Sequence, residues 1–473
     1  MSRRLDQIIA GGVLVAIVFT GLAHGAVEAW SIAVFQLLVI ALIELWTVRM
    51  VMAGRVRIAV PAPTLPLVGL IVLGLVQSIS WTGTDGRRAS LSLDVDMTRW
   101  TVPMLVILVA AFLIAANFWA SRERLPGLGW FLTAFGLTMA VFGLIQGFTW
   151  NGRFYWVRPM GALTAAYGPF LSHNNFAGYM ELFIPIPIAM ALTKAVRSPA
   201  RMFCAFAAVI MSLSVMFSLS RGGMISIAAG LVFLAVFGVQ MALQRRRAWE
   251  MEEWGDDDEF VAPRWRRVPA WLAQATAVAA IVVAIVVGLL WLGPDSVASR
   301  LTQGELTGSG QSGQNFEASR GWIWRDTWTM FGAHPLLGAG LGAYRTAFPM
   351  YTQSDGFYLV HQSHNDYLQI LADGGVVGGA LAVWFLISVF RAFGRGIGAR
   401  DPWLAALALG GGAALFSLLV HSLLDFNLQL PGTALLFLVL AAVVARIGER
   451  AREVSVGTEL QVAAARREVT QWR

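Results

Sequence analysis

Apolar runs long enough to cross a membrane recur along almost the whole chain, and they constrain its fold more than any other feature. Each crossing of the hydrocarbon core needs about 20 mainly apolar residues. Of the 473 residues, 57% are hydrophobic and 13% are charged, whereas soluble domains contain roughly 45–50% apolar and about 25% charged residues. The sequence therefore predicts an all-α polytopic membrane protein.

We place about twelve transmembrane helices on these runs. They lie at roughly 8–24, 29–50, 63–81, 100–119, 127–149, 176–194, 202–219, 223–243, 270–292, 370–391, 403–421 and 431–448. Residues 293–369 then form one long extracytoplasmic loop. The single cysteine, Cys204, excludes an intrachain disulfide and a cysteine-based metal site.

The distribution of basic residues sets the expected orientation. With the N-terminus in the cytoplasm, 25 of the 35 Lys and Arg lie inside and ten lie outside, as the positive-inside rule requires. The same rule accounts for the sequence pI of about 10.1, so we expect no nucleic-acid partner. The apolar run after MSRR could be a cleaved signal peptide, but we expect a retained first helix and two cytoplasmic termini.

The polar residues that interrupt or flank the apolar runs lie on the extracytoplasmic side, opposite the two termini. In this topology all six histidines lie outside or at the outer membrane boundary: His24, His173, His334, His361, His364 and His421. Ionisable groups near membrane depth are costly and usually functional. Their convergence on one face predicts an extracytoplasmic active site.

Arg221 is a candidate phosphate ligand. It stands between two apolar runs and precedes Gly222 and Gly223, small residues that let a backbone or ligand approach closely. A guanidinium offers a planar fork of donors that suits phosphate. The alternative is an arginine that reaches the membrane interface without binding a ligand.

The stretch ASRGWIWRD adds Arg320 and Arg325 among tryptophans. These residues could bind an anion, or they could belong to an interfacial amphipathic helix. The glycines of HPLLGAGLG do not form a nucleotide fingerprint, because no parallel strand precedes them and they lie outside the cell.

The stretch LVHQSHNDYLQILADGG gathers polar residues at the mouth of an apolar helix. His361 and His364 are three residues apart, and on a helix they could chelate a metal, but no further ligand is obvious. We expect Ser363 or Asn365 to cap the helix and its N-terminus to attract an anion. A histidine there could accept a proton from a sugar hydroxyl, or be hydrogen-bonded within the bundle.

Two other helix ends carry candidates for glycan binding. His173 and Asn174 could hydrogen-bond sugar hydroxyls, although the two asparagines 174–175 also suit a helix cap. His421 and Asp425 could pair, with the carboxylate orienting the imidazole. Structural bracing of two helix ends would explain this pair as well.

Together these motifs resemble the O-antigen ligase and O-antigen polymerase superfamily of bacterial envelope glycosyltransferases. The most specific feature is His364-Asn365 followed by Gly375-x-x-Gly378. The segments SRGG, HPLLGAGLG and HSLLDFNLQLP are also similar to family features. The resemblance covers about residues 160–445. The first five helices are similar to the family only in general character and carry none of these motifs.

The resemblance implies a GT-C-like helical bundle in the bacterial inner membrane, with its active site facing the periplasm. It implies transfer of an undecaprenyl-diphosphate-linked glycan without metal or cofactor and with inversion at the anomeric carbon. Arg221 and Arg320 would bind the diphosphate, with Arg325 and Arg345 as rivals of Arg320, and His364 would act as general base. Further residues would contact the glycan: His173, Asn174, His361, Asn365, His421 and Asp425.

On this basis residues 1–150 form an N-terminal unit of five helices, 151–448 the catalytic transmembrane region and 449–473 a charged cytoplasmic tail. The acceptor could be a growing glycan, lipid A–core sugar or a protein hydroxyl. We favour a ligase or polymerase of surface polysaccharide, because no large outer domain is present for a protein acceptor. A flippase or transporter of lipid-linked sugar is the alternative from another class, although the apolar runs are nearly free of charge. A non-catalytic scaffold would not need cationic and imidazole side chains on one face.

Overall fold

The structure, a computed structural model, is built almost entirely of helices. It describes residues 2–82, 88–159, 166–253, 316–353 and 359–471. The helices in these ranges are α1 (Ser2–Leu22), α2 (Ala29–Met52), α3 (Thr64–Gln77), α4 (Val95–Phe118), α5 (Leu125–Phe148), α6 (His173–Glu181), α7 (Pro185–Leu192), α8 (Ser198–Ser218), α9 (Arg221–Glu253), α10 (Phe316–Ala333), α11 (Tyr344–Ala347), α12 (Asp366–Gly396), α13 (Pro402–His421) and α14 (Pro431–Gln471).

Two short hairpins are the sheet structure of the described residues. β1 (Ser80–Thr82) pairs antiparallel with β2 (Arg88–Ser90), between α3 and α4. β3 (Arg153–Phe154) pairs antiparallel with β4 (Arg158–Pro159), after α5. Both hairpins connect helix ends, and Phe154 of the second hairpin is fully buried.

Ten helical segments of the described chain are long and apolar enough to cross a membrane. This confirms an all-α polytopic membrane protein. The predicted helix at 63–81 is the shorter apolar helix α3, which has 14 residues. The predicted helix at 270–292 lies outside the described residues.

The predicted helix at 176–194 is confirmed as one apolar membrane-spanning segment, His173–Leu192, but it is interrupted between two helices. α6 ends at Glu181, a turn covers residues 182–184, and α7 begins at Pro185. Proline lacks a backbone N–H and favours the first position of a helix. Hydropathy counts the apolar residues of this span but does not detect its interruption.

Glycines bring α13 close to three neighbouring helices. Residues 410–412 are consecutive glycines near the middle of α13. A Cβ on the first would lie 3.0 Å from the Ile186 backbone of α7, on the second 2.8 Å from Val444 of α14, and on the third 2.3 Å from Phe393 of α12. Small residues permit such close packing where lipid supplies no hydrophobic driving force. α13 is therefore the central helix of this half of the bundle.

α12 is interrupted at Gly375, where the segment 335–340 inserts its backbone. Gly375 has φ 62° and ψ −162°, a conformation that few residues other than glycine adopt. Ala339 N–H donates to the Ala372 carbonyl at 2.8 Å, and Val376 N–H donates to the Pro335 carbonyl at 2.8 Å. The glycines of HPLLGAGLG thus serve a close backbone contact: a Cβ on Gly338 would lie 2.3 Å from the Asp373 backbone.

The polar motifs lie at one end of the bundle, where α6, α9, α12 and α14 begin and α1, α8 and α13 end. Hydrogen bonds join these ends: Gly432 N–H donates to the Gly25 carbonyl at 2.8 Å, and Asp366 N–H donates to the Ser422 carbonyl at 2.9 Å. α1 starts, and α14 runs on, at the opposite end. The two termini therefore lie on the side of the bundle away from these motifs.

Candidate active site

His364 and Asp425 form an open imidazole–carboxylate pair at this end of the bundle. His364 Nδ1 lies 3.3 Å from Asp425 Oδ1, and the two side chains are 29% and 3% exposed. The ring packs edge-on against Phe426, with 4.9 Å between ring centroids. The imidazole is thus held on one side by a buried carboxylate while part of it remains accessible.

The backbone around this pair is specialised. His364 has φ 52°, which is uncommon for a residue other than glycine and tends to occur at functional sites. Asp425 Oδ1 also accepts the Phe426 N–H at 2.9 Å, and Asp425 N–H donates to the His421 carbonyl at 3.0 Å. The turn after α13 therefore fixes the carboxylate before any ligand binds.

The Asp425 carboxyl is stabilised in its charged form. Burial alone would raise its pKa, but the hydrogen bond with His364 and the nearby charges of His364, His421 and Arg320 outweigh burial. The pKa of Asp425 therefore lies below its usual value, and the carboxylate stays ionised near neutral pH.

Arg320 lies beside this pair. Its Nη1 donates to the Leu424 carbonyl at 2.9 Å, one residue before Asp425. Arg325 is five residues further along α10, about 140° around the helix. Its Nε lies 2.9 Å from Asp326 Oδ1 and its side chain is 63% exposed. Of these two predicted diphosphate ligands, the structure brings Arg320 to the His364–Asp425 pair.

The loop that precedes Arg221 is held by the start of α6. His173 Nδ1 lies 2.9 Å from the Ser218 carbonyl, and the Ser220 hydroxyl donates to Asn174 Oδ1 at 2.7 Å. Ser220 also caps α9, because its Oγ accepts the Gly223 N–H at 3.1 Å. The predicted residues His173 and Asn174 therefore position the start of α9, where Arg221 is the first residue.

The asparagines 174–175 do not cap α6. The N-cap is Ser172, whose side chain accepts the Asn174 N–H at 3.3 Å. The charges of Asp425, Arg320 and His421 act on the His173 ring. The start of α6 thus lies beside the open pair. We call the side chains gathered at this end of the bundle the polar cluster: His173, Asn174, Arg320, His364, His421 and Asp425.

Of the two predicted caps, Ser363 and Asn365, it is Asn365 that caps α12. Its Oδ1 accepts the N–H groups of Tyr367 and Leu368, each at 3.0 Å, and its Nδ2 donates to the Leu423 carbonyl at 3.0 Å. The Asp366 N–H is bonded to the Ser422 carbonyl. The first N–H groups of α12 therefore already have partners, so the expectation that this helix end binds an anion is wrong.

His421 pairs with a different carboxylate from the one expected. Its Nδ1 lies 2.7 Å from Glu181 Oε1, and the two side chains are 1% and 0% exposed. Asp425, which is four residues from His421, forms its pair with His364 instead. The expected His421–Asp425 pair is therefore wrong, and burial keeps the His421 ring from direct contact with a glycan.

Glu181 is the residue of this cluster that sequence reasoning missed. It is the single carboxylate of the otherwise apolar span His173–Leu192. A lone ionisable residue inside a membrane-spanning segment is itself a signal of function. That signal was present in the sequence, although its partner 240 residues away was not.

The remaining histidines lie outside the cluster's contacts. His361 is largely exposed. The part of its ring that is removed from water, and secondly the charge of Arg345, lower the pKa of this histidine. His334 Nε2 lies 2.7 Å from the Tyr351 hydroxyl, and His24 Nδ1 lies 3.3 Å from the Pro169 carbonyl.

His361 and His364 both precede α12, so they do not share a helix face. Among the residues that the structure describes, no three His, Cys, Asp or Glu side chains are grouped to hold a metal ion.

The fold and this cluster define a multi-pass membrane protein with a basic and imidazole-rich site at one end of its bundle. Residues 206–383 match the family model described as O-antigen ligase, so this part of the chain is similar to that family. The matched region contains Arg221, Arg320 and His364 but ends before His421 and Asp425. No curated protein matches the chain. The match supports activity of the O-antigen ligase or polymerase type only broadly.

Proposed function

We propose that this protein transfers a glycan from a polyprenyl diphosphate carrier to an acceptor hydroxyl at the periplasmic face of the bacterial inner membrane. The observation that carries the proposal is the open His364–Asp425 pair next to Arg320, on helix ends that also present Arg221. An accessible base beside cationic groups suits a reaction in which a hydroxyl attacks and a diphosphate leaves.

His364 acts as the general base. Its Nδ1 faces Asp425, which orients the ring and stabilises it once protonated, so Nε2 receives the proton of the acceptor hydroxyl. The acceptor oxygen forms a bond with the anomeric carbon as the bond from that carbon to the phosphate oxygen breaks. The diphosphate leaves with the electron pair, and attack from the opposite side inverts the anomeric carbon.

Arg221 and Arg320 bind the departing diphosphate. Its negative charge grows as the bond breaks, and fixed guanidiniums stabilise that charge without reorganisation. A planar fork of donors also fixes the orientation of phosphate oxygens. Arg221 begins α9, so the positive end of the helix dipole adds to its charge. Together these groups can take the role that a divalent cation has in other glycosyl transfers.

We place the apolar carrier chain in a shallow, open apolar groove of about 530 Å³ between α9, α12 and α13. Its lining includes Phe233, Tyr367, Phe390, Phe416, Leu419 and Leu423. Leu423 and Tyr367 lie at the same helix ends as the polar cluster, since the Leu423 carbonyl accepts from Asn365. A diphosphate at the cluster and an isoprenoid chain in this groove would therefore form one continuous ligand site.

The orientation follows from charge and from the position of the termini. The predicted topology places 25 of 35 Lys and Arg on the side of the two termini, and that side is cytoplasmic under the positive-inside rule. The polar cluster lies at the opposite end of the bundle. The acceptor is accordingly a periplasmic hydroxyl, from a growing surface polysaccharide or from lipid A–core sugar.

The experiment is a size analysis of lipid-linked glycans in cells whose only copy carries His364→Ala. Single repeat units on the carrier, with loss of long polymer, would identify a polymerase. Long chains that remain on the carrier while the acceptor stays undecorated would identify a ligase. His334→Gln is the control, because glutamine can still bond the Tyr351 hydroxyl outside the cluster. An unchanged profile with His364→Ala protein present in the membrane would contradict the proposal.

A further inference from the structure

The backbone at His364 has a conformation that its neighbours must hold in place. Its φ of 52° lies in the left-handed region, which is unfavourable for a residue that carries a side chain. Such a conformation persists only where the surrounding structure imposes it. The contacts of Ser363 and Asn365, on either side, therefore decide where the imidazole lies.

Two side chains bind the backbone of Ser363, a residue that is fully buried. The Ser363 N–H donates to Gln369 Oε1 at 2.8 Å, and the Ser363 carbonyl accepts from Trp324 Nε1 at 3.0 Å. This carbonyl belongs to the planar peptide unit that ends at the His364 nitrogen. Its direction therefore sets φ of His364, and Trp324 and Gln369 together fix the chain that enters this residue.

The chain that leaves His364 is fixed as well. The Asn365 carbonyl accepts from the Ser363 hydroxyl at 2.7 Å and from the Gln369 N–H at 2.9 Å. With both flanking residues held, the imidazole is directed toward Asp425 before any ligand binds.

The amide of Gln369 is oriented by its two partners. Oε1 faces an N–H group, and Nε2 donates to Asp373 Oδ2 at 3.0 Å, one turn further along α12. The reversed amide would place a donor against the N–H and an acceptor against the carboxyl. Gln369 is only 2% exposed, so water does not reach these bonds. It therefore anchors the peptide before His364 to the interior of α12.

We propose that Gln369 and Trp324 are positioning residues for the transfer reaction. They hold the backbone of Ser363 so that the His364 imidazole meets the acceptor hydroxyl in the geometry that proton transfer needs. The inference rests on the proposed function, because it assigns both residues to the base of that reaction. Both act through His364, whereas the diphosphate is bound by other side chains.

Trp324→Phe is the first test, because it removes the Nε1–H donor and keeps an aromatic ring. We expect kcat to fall about tenfold, since a base that is misplaced by a fraction of an ångström loses rate. KM for the lipid-linked donor should stay within about twofold of wild type, because the groups that bind the diphosphate are unchanged. A normal kcat, or a raised KM with an unchanged kcat, would overturn the inference.

Trp119→Phe is the matched control. Trp119 follows α4 at the end of the bundle away from the polar cluster, and its Nε1 donates to the Ala10 carbonyl at 2.9 Å. The control thus loses the same kind of bond far from His364. Its kcat per folded molecule should equal that of wild type.

Gln369→Met removes both bonds of the amide at nearly the same side-chain length, and it should show the same fall in kcat at constant KM. Gln77→Met is its control: Gln77 is also buried, donates to the Asp373 carbonyl at 2.9 Å and accepts the Leu341 N–H at 2.9 Å. This control should lower the melting temperature while kcat per folded molecule stays within about twofold of wild type. An equal loss of kcat in both variants would indicate general loosening and contradict the inference. If Gln369→Met does not accumulate, Trp324→Phe decides.

A double variant shows whether Trp324 acts through the imidazole. Trp324→Phe and Asp425→Asn both release the same ring, so their effects on kcat should not multiply. If each single change lowers kcat about tenfold, the double variant should be less than about 30-fold slower than wild type. A loss of about a hundredfold would mean that the two residues act independently, against the inference.

The proposed function and the positioning role fail in different ways. If His364→Ala leaves the lipid-linked glycans unchanged, the proposed function itself is wrong. If His364→Ala is inactive but Trp324→Phe and Gln369→Met keep the wild-type kcat, only the positioning role is wrong.

Discussion

Replacing Asp425 with asparagine should separate the orienting role of this carboxylate from its role in packing. Asparagine has nearly the same volume, so the turn that holds Phe426 N–H at 2.9 Å is retained. What changes is the charge opposite His364 Nδ1, at a side chain that is 3% exposed. A buried hydrogen bond to a charged group contributes about 1.5–3 kcal/mol. If this energy is expressed in the transition state, the rate falls about 10- to 150-fold.

The assay is the initial rate of glycan transfer in membranes, normalised to the amount of folded protein. Asp326→Asn is the control, because that carboxyl is also buried at this end and accepts from Thr352 and Gln353. Its rate per folded molecule should be close to wild type. An Asp425→Asn rate within about twofold of wild type would refute the orienting role, since it would correspond to less than about 0.5 kcal/mol.

The pH dependence gives a second check. A carboxyl whose folded pKa is lowered contributes its interaction energy above its usual pKa of about 3.9, and it loses that energy only as the pH falls through the lowered value. Between about pH 5 and pH 8 Asp425 therefore stays charged in the wild type, and the Asp425→Asn variant should remain slower than wild type throughout this range.

Three further outcomes are expected. Arg221→Lys should reduce transfer at least about tenfold although charge is kept, because lysine lacks the planar fork; near-normal turnover would argue against a diphosphate ligand. EDTA should leave the rate of purified enzyme unchanged, and inhibition reversed by a divalent cation would overturn the metal-independent mechanism. Gly375→Ala should destabilise the fold by about 2–5 kcal/mol, because a Cβ would lie 2.3 Å from the Leu336 carbonyl oxygen at a positive φ. Gly394→Ala, with open space around its Cβ, should not lower the melting temperature in detergent.

Hydropathy predicted the helical spans because the length of an apolar run decides whether it can cross a membrane. It did not predict the break between α6 and α7 or the interruption of α12 at Gly375. Both depend on backbone contacts that a window average does not contain. The segment 335–340, which fills the interruption of α12, is apolar but far too short for hydropathy to show where it inserts.

The pairing of side chains was harder to predict than their importance. His421 and Asp425 are four residues apart, so the sequence favoured a local pair. The structure pairs His421 with Glu181 and His364 with Asp425, across 240 and 61 residues. The rotational setting of each helix in the bundle decides these partners, and a single sequence does not reveal it. The cap was narrowed to Ser363 or Asn365, because a helix cap depends on the next few residues alone, and the structure selects Asn365.

The two imidazole–carboxylate pairs differ in access, and this difference assigns their roles. The His364 side chain is 29% exposed, whereas that of His421 is 1% exposed. Only the first can take a proton directly from an acceptor hydroxyl. A group as buried as His421 can influence the reaction through its charge or through the backbone it supports, and its ring packs on Gly222 beside Arg221. In the proposed reaction the open pair activates the acceptor hydroxyl, whereas the closed pair supports the backbone that carries Arg221.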